Sequence, residues 1–174
     1  MISEKYPIGP FSRPDIITER DLNIALDSLL ALPDTLSNLV ANWTDEQLDT
    51  PYREGSWTAR QLIHHLADSH LHSFIRYKWA LSENTPLIKA YDQDGWAVLA
   101  DAQMPIESSL VLLTSIHQKI VFICRELSDE QWNSAFIHPE TKKERDLKEN
   151  TLLYAWHGAH HLAHLERLAQ KMGW

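Results

Sequence analysis

Four long stretches of the chain place an apolar residue at every third or fourth position, which is the spacing of an amphipathic α-helix. They cover residues 18–43, 58–82, 105–127 and 147–172. In the first stretch Leu22, Leu26 and Leu29 share one face. Runs that alternate apolar and polar residues, as β-strands do, are scarce between turn signals. The pattern therefore predicts an all-α fold, and a four-helix bundle is the simplest arrangement of four such helices.

Residues with a known role at helix ends support these boundaries. Thr58 and Gln61 have the spacing of a capping box, in which each side chain accepts a hydrogen bond from the backbone N–H of the other residue. Pro105 suits the first turn of a helix, and Gly173 suits the position just after the last turn. Pro33 falls inside the first stretch, where its missing N–H and its ring predict a kink or a break.

Two short segments of the chain are similar to each other. "TDEQLD" begins at Thr44 and "SDEQWN" begins at Ser128, and each follows a predicted long helix and precedes a loop and a histidine-rich helix. Capping motifs of this kind are common, so one interpretation is coincidence. The other is that two helix pairs are related by an approximate twofold axis, which would bring the histidine-rich helices together. The sequence leaves both interpretations open.

Length, charge and cysteine content limit the class of protein. The 174 residues are enough for one core, and we expect a single domain, residues 1–174, that starts with an extended, proline-punctuated arm. A net charge of −8 argues against a protein that binds nucleic acid. No uncharged apolar run of about 18 residues and no signal-peptide core is present, so we expect no membrane association. The single cysteine, Cys124, lies in an apolar context typical of a buried residue and fits a cytoplasmic protein.

Histidines are concentrated in two short segments. Eight of the ten lie in "HHLADSHLH", which starts at His64, and in "WHGAHHLAH", which ends at His164. Two imidazoles four residues apart on a helix can bind one divalent metal ion. Histidines on a helix are otherwise exposed to solvent or hydrogen-bonded in the core, so a metal site and a purely structural role are the two interpretations.

Helical angles distinguish the two pairs of histidines in the last helix. His160 and His164 border an apolar arc that we expect to face the interior of the bundle, whereas His157 and His161 point more toward the flank. The same reasoning does not choose between His64 and His65 in the second helix, because both lie at the margins of its apolar arc.

Further segments of the chain carry a family resemblance. "YPIGPF", "LDTPYREGSWTARQLIHHLADSH", "IRYKWALSENTP", "HPET" and "YAWHGAHHLAHLERLAQKMGW" extend almost from end to end. They resemble the YfiT family of metal-dependent hydrolases, within the DinB-like superfamily of four-helix bundles. The resemblance implies one divalent metal ion per chain, zinc or alternatively nickel, held by His65, His160 and His164. It also implies a cytoplasmic homodimer.

A metal-dependent hydrolase with a small-molecule substrate is the function that this resemblance implies. Three protein ligands leave coordination positions for water or substrate, and the metal would lower the pKa of a bound water to about 7 or polarise a carbonyl group. Asp68 is a candidate partner that would orient an imidazole, and the sequence identifies no catalytic base.

Two other functions fit the same motifs. Some DinB-like relatives are thiol S-transferases that use a low-molecular-weight thiol such as bacillithiol or glutathione, and thiol transfer is the first alternative. The second alternative is a non-catalytic bundle that the metal stabilises.

Overall fold

Four long helices and two single-turn helices account for most of the chain. The computed structural model describes residues 3–174. Its helices are α1 (Glu19–Val40), α2 (Asp45–Leu48), α3 (Ala59–Ser82), α4 (Gln93–Trp96), α5 (Glu107–Arg125) and α6 (Leu147–Met172). The four long helices lie within a few residues of the four periodic stretches, which confirms the predicted helical bundle.

Capping boxes start the helices where the sequence predicts them. The Thr58 hydroxyl accepts from the backbone N–H of Gln61, and the Gln61 side chain accepts from the N–H of Thr58. Reciprocal bonds of the same kind join Thr44 to Gln47 and Ser128 to Gln131. Each of these pairs satisfies two backbone donors that a helix end would otherwise leave without partners.

The packing of the long helices brings the two histidine-rich helices side by side. α1 packs against α5 and α6, and α3 also packs against α5 and α6. α1 and α3, which are consecutive long helices, therefore lie diagonally across the bundle, and so do α5 and α6. α3 and α6 are therefore neighbours, and the approximate twofold axis stays a prediction.

The core has two apolar clusters with a polar layer between them. One cluster includes Leu29, Tyr77 and Phe136, and the other includes Leu62 and Leu165. On α6, His160 and His161 lie between Tyr154 of the first cluster and Leu165 of the second. On α3, His70 lies between Leu66 of the second cluster and Tyr77 of the first, whereas His64 and His65 lie within the segment that forms the second cluster. Burial of a polar group without a hydrogen bond is costly, so the histidines of this layer need partners within the bundle.

A small β-hairpin before α6 is an element that the sequence did not predict. β1 (Ala135–Ile137) pairs with β2 (Glu144–Asp146) in antiparallel register, with Phe136 opposite Arg145. Strands of three residues are too short to show the alternation by which strands are recognised.

Pro33 does not break α1, which is one helix from residue 19 to residue 40. The proline has no N–H to donate to the Leu29 carbonyl one turn earlier. Nδ1 of His117, from α5, donates to that carbonyl instead. Of the predicted kink or break, the break is therefore wrong, because a neighbouring helix replaces the missing hydrogen bond, and the kink stays a prediction.

The N-terminal arm crosses one face of α6. The indole N–H of Trp156 donates to the Gly9 carbonyl at 3.1 Å, and Arg167 donates to the carbonyls of Pro7 at 2.6 Å and Ser3 at 3.2 Å. These bonds hold the extended N-terminal segment against α6, outside the four-helix bundle.

In residues 3–174, no helix has the length and apolar character needed to cross a membrane.

Candidate metal centre

Three histidines from α3 and α6 converge at one point. His65, His157 and His161 each present a ring nitrogen, and these nitrogens all lie within 4.8 Å of one another. Nε2 of His157 is 3.1 Å from Nε2 of His161. The ring of His65 lies 5.4 Å from that of His157 and 5.1 Å from that of His161, between centroids. Among residues 3–174, this is the one group of three or more potential metal ligands with such spacing.

The predicted pair His160 and His164 lies beside this cluster. Their rings are 4.7 Å apart, and both residues line the same groove as the cluster. Trp156 stacks on His160 at 4.7 Å, and Tyr52 lies 4.6 Å from His164. The structure thus brings His65 together with His157 and His161, while His160 and His164 contact aromatic side chains of the groove.

The expectation that His157 and His161 point to the flank of the helix is wrong. The arc that carries Trp156, His160 and Arg167 looks like the interior face by its residue types. The N-terminal arm covers that arc, because Trp156 and Arg167 both donate to its carbonyls. His157 and His161 instead face α3, where their rings lie 5.4 Å and 5.1 Å from that of His65.

The structure also distinguishes His64 from His65. Nδ1 of His64 is 2.7 Å from the Ser109 hydroxyl, and its Nε2 is 3.0 Å from the Met104 carbonyl. Both nitrogens of His64 are therefore engaged in tying α3 to the start of α5. Nδ1 of His65 lies 3.3 Å from the Tyr91 hydroxyl, and His65 also contributes a ring nitrogen to the cluster.

A chain of hydrogen-bonded histidines runs from the cluster across the bundle to α1. Nδ1 of His157 is 3.2 Å from Nε2 of His70, and Nδ1 of His70 is 2.8 Å from Nε2 of His117. His117 in turn binds the Leu29 carbonyl. Burial lowers the pKa of His117 to about 4 and that of His70 well below its ordinary value, so both rings are neutral near pH 7.

The Leu29 carbonyl fixes the position of every proton along this chain. A carbonyl only accepts, so His117 donates from Nδ1 and accepts at Nε2. His70 must then donate from Nδ1 and accept at Nε2, and His157 must donate from Nδ1. This leaves a lone pair on Nε2 of His157, on the side of the ring that faces His161. The tautomer of a metal ligand is commonly set by such a bond at its other nitrogen.

The cluster is a chemically suitable site for a divalent cation. Burial lowers the pKa of His65 to about 4 and lowers the pKa values of His157 and His161 well below the ordinary value. The imidazoles are therefore neutral, which is the form that binds metal. Three nitrogen ligands without a thiolate suit zinc, nickel or ferrous iron alike. The residues present thus fit the metal that the family resemblance implies.

Two cavities adjoin the cluster. The groove that includes Tyr6, Tyr52 and Arg53 has a volume of about 530 Å³ and reaches all three clustered histidines. A second cavity is lined by His65 and Asp68 but not by His157 or His161. Burial, together with the negative charge of Asp101, raises the pKa of Asp68 to about 6.

Asp68 does not orient a histidine, in contrast to the sequence-based expectation. Among the described residues it forms no hydrogen bond with an imidazole, and the Tyr91 hydroxyl is the partner of His65 instead. Tyr91, His70 and His117 were missed by the sequence reasoning. Tyr91 lies in a connecting loop and His117 lies outside both histidine segments. The one available signal for His117 was Pro33, because a proline inside a helix leaves a carbonyl that needs a donor.

The fold agrees with what comparison with known proteins shows. A model of the DinB superfamily matches residues 28–165. The chain belongs to this superfamily.

Two relatives and one solved structure are similar to this chain over nearly its whole length. A protein of Oceanobacillus iheyensis, named "Putative metal-dependent hydrolase", is 44% identical over 99% of this chain and 100% of its own length. YfiT of Bacillus subtilis is 41% identical over 99% of this chain and 98% of its own length. A solved structure of that protein superposes with a TM-score of 0.96, covering 99% of both chains, and is described as "a probable metal-dependent hydrolase with an unusual four-helix bundle topology".

Proposed function

We propose that this protein is a metal-dependent hydrolase that holds one divalent cation with His65, His157 and His161. The observation that carries the proposal is the convergence of three neutral ring nitrogens from two helices within 4.8 Å of one another. The names of the full-length relatives support the same activity. Three ligands from the protein are the number typical of catalytic rather than structural zinc sites.

Different groups around the cluster would carry out different parts of the hydrolysis reaction. A divalent cation bound there supplies Lewis acidity, which polarises a carbonyl or phosphoryl group and activates water. The groove admits a small-molecule substrate to the histidines. Asp68, whose pKa is raised to about 6, lines the second cavity together with His65 and is the carboxyl group that would accept a proton from a water bound there and return it to the leaving group.

The ligand set derived from the sequence, His65 with His160 and His164, stays a competing prediction. The two sets share His65 and differ in the pair that α6 contributes. The geometry favours His157 and His161, since they face His65 and since the histidine chain leaves the lone pair of His157 on the side of the cluster. His160 has a stacked indole on one face.

Elemental analysis of untagged variants distinguishes the two sets. We expect about one metal ion per chain in the wild type and in His164→Ala, and none in His65→Ala, His157→Ala or His161→Ala. Circular dichroism would confirm that each variant is folded. Loss of metal in His160→Ala and His164→Ala with retention in His157→Ala would establish the set derived from the sequence. A wild type that neither contains nor takes up zinc or nickel would refute the proposed function.

An activity assay then separates hydrolysis from thiol transfer. Metal-loaded wild type should release product from a panel of esters, amides and lactams, and His161→Ala should not. Asp68→Asn should keep the metal and lose turnover. Product formation only when bacillithiol or glutathione is added would identify the thiol S-transferase alternative instead. The homodimer and the preference for zinc stay predictions, to be tested by sedimentation equilibrium and by the elemental analysis.

A further inference from the structure

A third cavity, of about 620 Å³, lies beside the candidate metal centre. We call it the lateral pocket and define it by Ser69, Arg76, Tyr91, Arg145, Tyr154 and His157. His157 belongs both to this pocket and to the histidine cluster, so the two sites share a wall. The proposed function makes no use of the lateral pocket.

Arg76 is the unusual residue of this pocket. Its exposure is only 6%, and within residues 3–174 no carboxylate lies within ion-pair distance of it. Nη1 donates to the Tyr154 hydroxyl at 2.8 Å. Nε is buried and has no hydrogen-bond partner in the described part of the chain. The positive charge is thus buried with one neutral hydrogen-bond partner and with the ring of Phe136, whose centroid lies 5.9 Å from the guanidinium carbon.

Arg60 shows how the same chain neutralises a buried arginine elsewhere. Its exposure is 5%, and it contacts Asp45 and Asp49 at 2.6 Å each. Removing a cation from water costs several kcal/mol unless an anion compensates it. Arg60 obtains that compensation from two aspartates, whereas Arg76 does not obtain it from the protein.

The remaining charges of the lateral pocket do not fill this role. Arg145 adds a second cation, which is already paired with Glu149 at 3.1 Å. Asp92 and Glu140 also line the pocket, but both are exposed at its rim, and Asp92 accepts a bond from the backbone of Gly95. The buried end of the pocket is therefore positive and rich in N–H and O–H donors.

The position of Arg76 suits a substrate that reaches both sites. Its partner Tyr154 precedes His157 by three residues on α6, which is a rise of about 4.5 Å along the helix. The rings of Tyr154 and His157 lie 5.6 Å apart between centroids, so an anionic group at Arg76 would lie beside the histidine that the two sites share. A planar guanidinium binds carboxylate or phosphate with two parallel hydrogen bonds.

We infer that the lateral pocket binds an anionic group of the substrate, a carboxylate or a phosphate, while the bond to be cleaved lies at the histidine cluster. Arg76 supplies the countercharge and sets the specificity. This assignment of a substrate class rests on the proposed function, but anion binding at Arg76 does not depend on the metal.

Thermal unfolding of the metal-free protein tests the anion site by itself. The metal is removed with a chelator, and the chelator is then removed by gel filtration because its own carboxylates would compete. Sodium phosphate and sodium acetate are titrated separately, with sodium chloride keeping the ionic strength constant. At least one of the two should raise the Tm of the wild type in a saturable way. A response to phosphate alone would identify a phosphoryl group, and a response to acetate alone would identify a carboxylate.

Two variants locate the binding. Arg76→Met should abolish the response and should be no less stable than the wild type without anion, because an apolar side chain of similar length replaces an uncompensated charge. Arg145 lies in the same pocket but is already paired with Glu149, so the variant Arg145→Met should keep the response. An undiminished response in Arg76→Met, or none in the wild type with either anion, would overturn the inference.

Two further measurements keep the test decisive. If Arg76→Met does not fold, the Nε–H resonance of Arg76 in the wild type should move on adding the anion that raises the Tm, and a resonance that stays in place would overturn the inference. With metal-loaded protein, Arg76→Met should raise KM roughly 10- to 100-fold for an ester that bears the anionic group, as loss of a charged hydrogen bond does, and leave a neutral ester unaffected. Failure of the metal proposal would appear in elemental analysis and leave the titration of the metal-free protein unchanged.

Discussion

The stability of the metal-free protein should fall between pH 7.5 and pH 5.0, and His117 should be a measurable cause. His117 is completely buried, with the Leu29 carbonyl at one nitrogen and His70 at the other. Burial lowers its pKa from the ordinary value of 6.5 to about 4. Between these two values the unfolded chain binds a proton that the folded protein does not, so acid favours the unfolded state.

The size of the effect follows from the two pKa values of His117. Each unit of difference corresponds to about 1.4 kcal/mol. At pH 5.0 the unfolded histidine is almost fully protonated and the folded one is mostly neutral, so this residue alone should lower the free energy of unfolding by about 2 kcal/mol. Below pH 4 its contribution should approach roughly 3 kcal/mol. The loss begins as the pH falls through 6.5 and is complete only below the folded pKa.

The variant His117→Asn isolates this contribution. Its amide N–H can replace Nδ1–H as the donor to the Leu29 carbonyl, but it does not titrate. At pH 7.5 the variant should be less stable than the wild type by about 1–3 kcal/mol, because His70 loses its acceptor. Between pH 7.5 and pH 5.0 its free energy of unfolding should fall by about 2 kcal/mol less than that of the wild type.

Urea unfolding, followed by the fluorescence of the seven tryptophans, measures both free energies. The difference between the two proteins is the useful quantity, since His65 and His164 also have pKa values of about 4 and contribute equally to both. If the wild type and His117→Asn lost the same free energy over this pH range, His117 would not be a neutral, buried imidazole, and the deduced positions of the protons along the histidine chain would fail with it.

Three further predictions concern other parts of the molecule. Tyr91→Phe removes the hydroxyl that lies 3.3 Å from Nδ1 of His65 and should weaken metal binding about 10-fold, as measured by competition with a chromophoric chelator; unchanged affinity would show that His65 needs no such support. Gly158→Ala places a methyl group 2.3 Å from Cδ2 of Leu32 and should cost about 1–3 kcal/mol in urea unfolding, and combining it with Leu32→Ala should cost less than the sum of the two single changes. Cys124 is buried and its pKa is raised to about 12, so a thiol reagent at pH 8 should label it only in denaturant, and rapid labelling of the native protein would contradict its burial.

The helices were predictable because their signals are local. Periodic leucines and the Thr58–Gln61 capping box specify where α1 and α3 run without reference to the rest of the chain. The concentration of histidines in α3 and α6 was equally visible, and both helices contribute histidines to the cluster. Cys124 was also read correctly as a buried residue, because its neighbours in sequence are apolar.

Residues joined by long-range contacts were not predictable in the same way. His70, His117 and Leu29 come from three helices, and no pattern within any one of them shows that they form a chain. The hairpin was missed since its strands are three residues long. Arg76 looks in sequence like any arginine on a helix, and only its packing shows that no carboxylate lies beside it.

The sequence by itself determined that this protein is a helical bundle of the DinB superfamily with histidine-rich helices, since helical period, caps and motifs are properties of consecutive residues. Which histidines of α6 meet His65 was decided by the tertiary structure. A helix places residues on all its sides, and its rotation depends on what covers each side. The N-terminal arm binds Trp156 and Arg167, so the face that residue types alone assign to the interior lies under the arm. His157 and His161 face α3 and lie near His65.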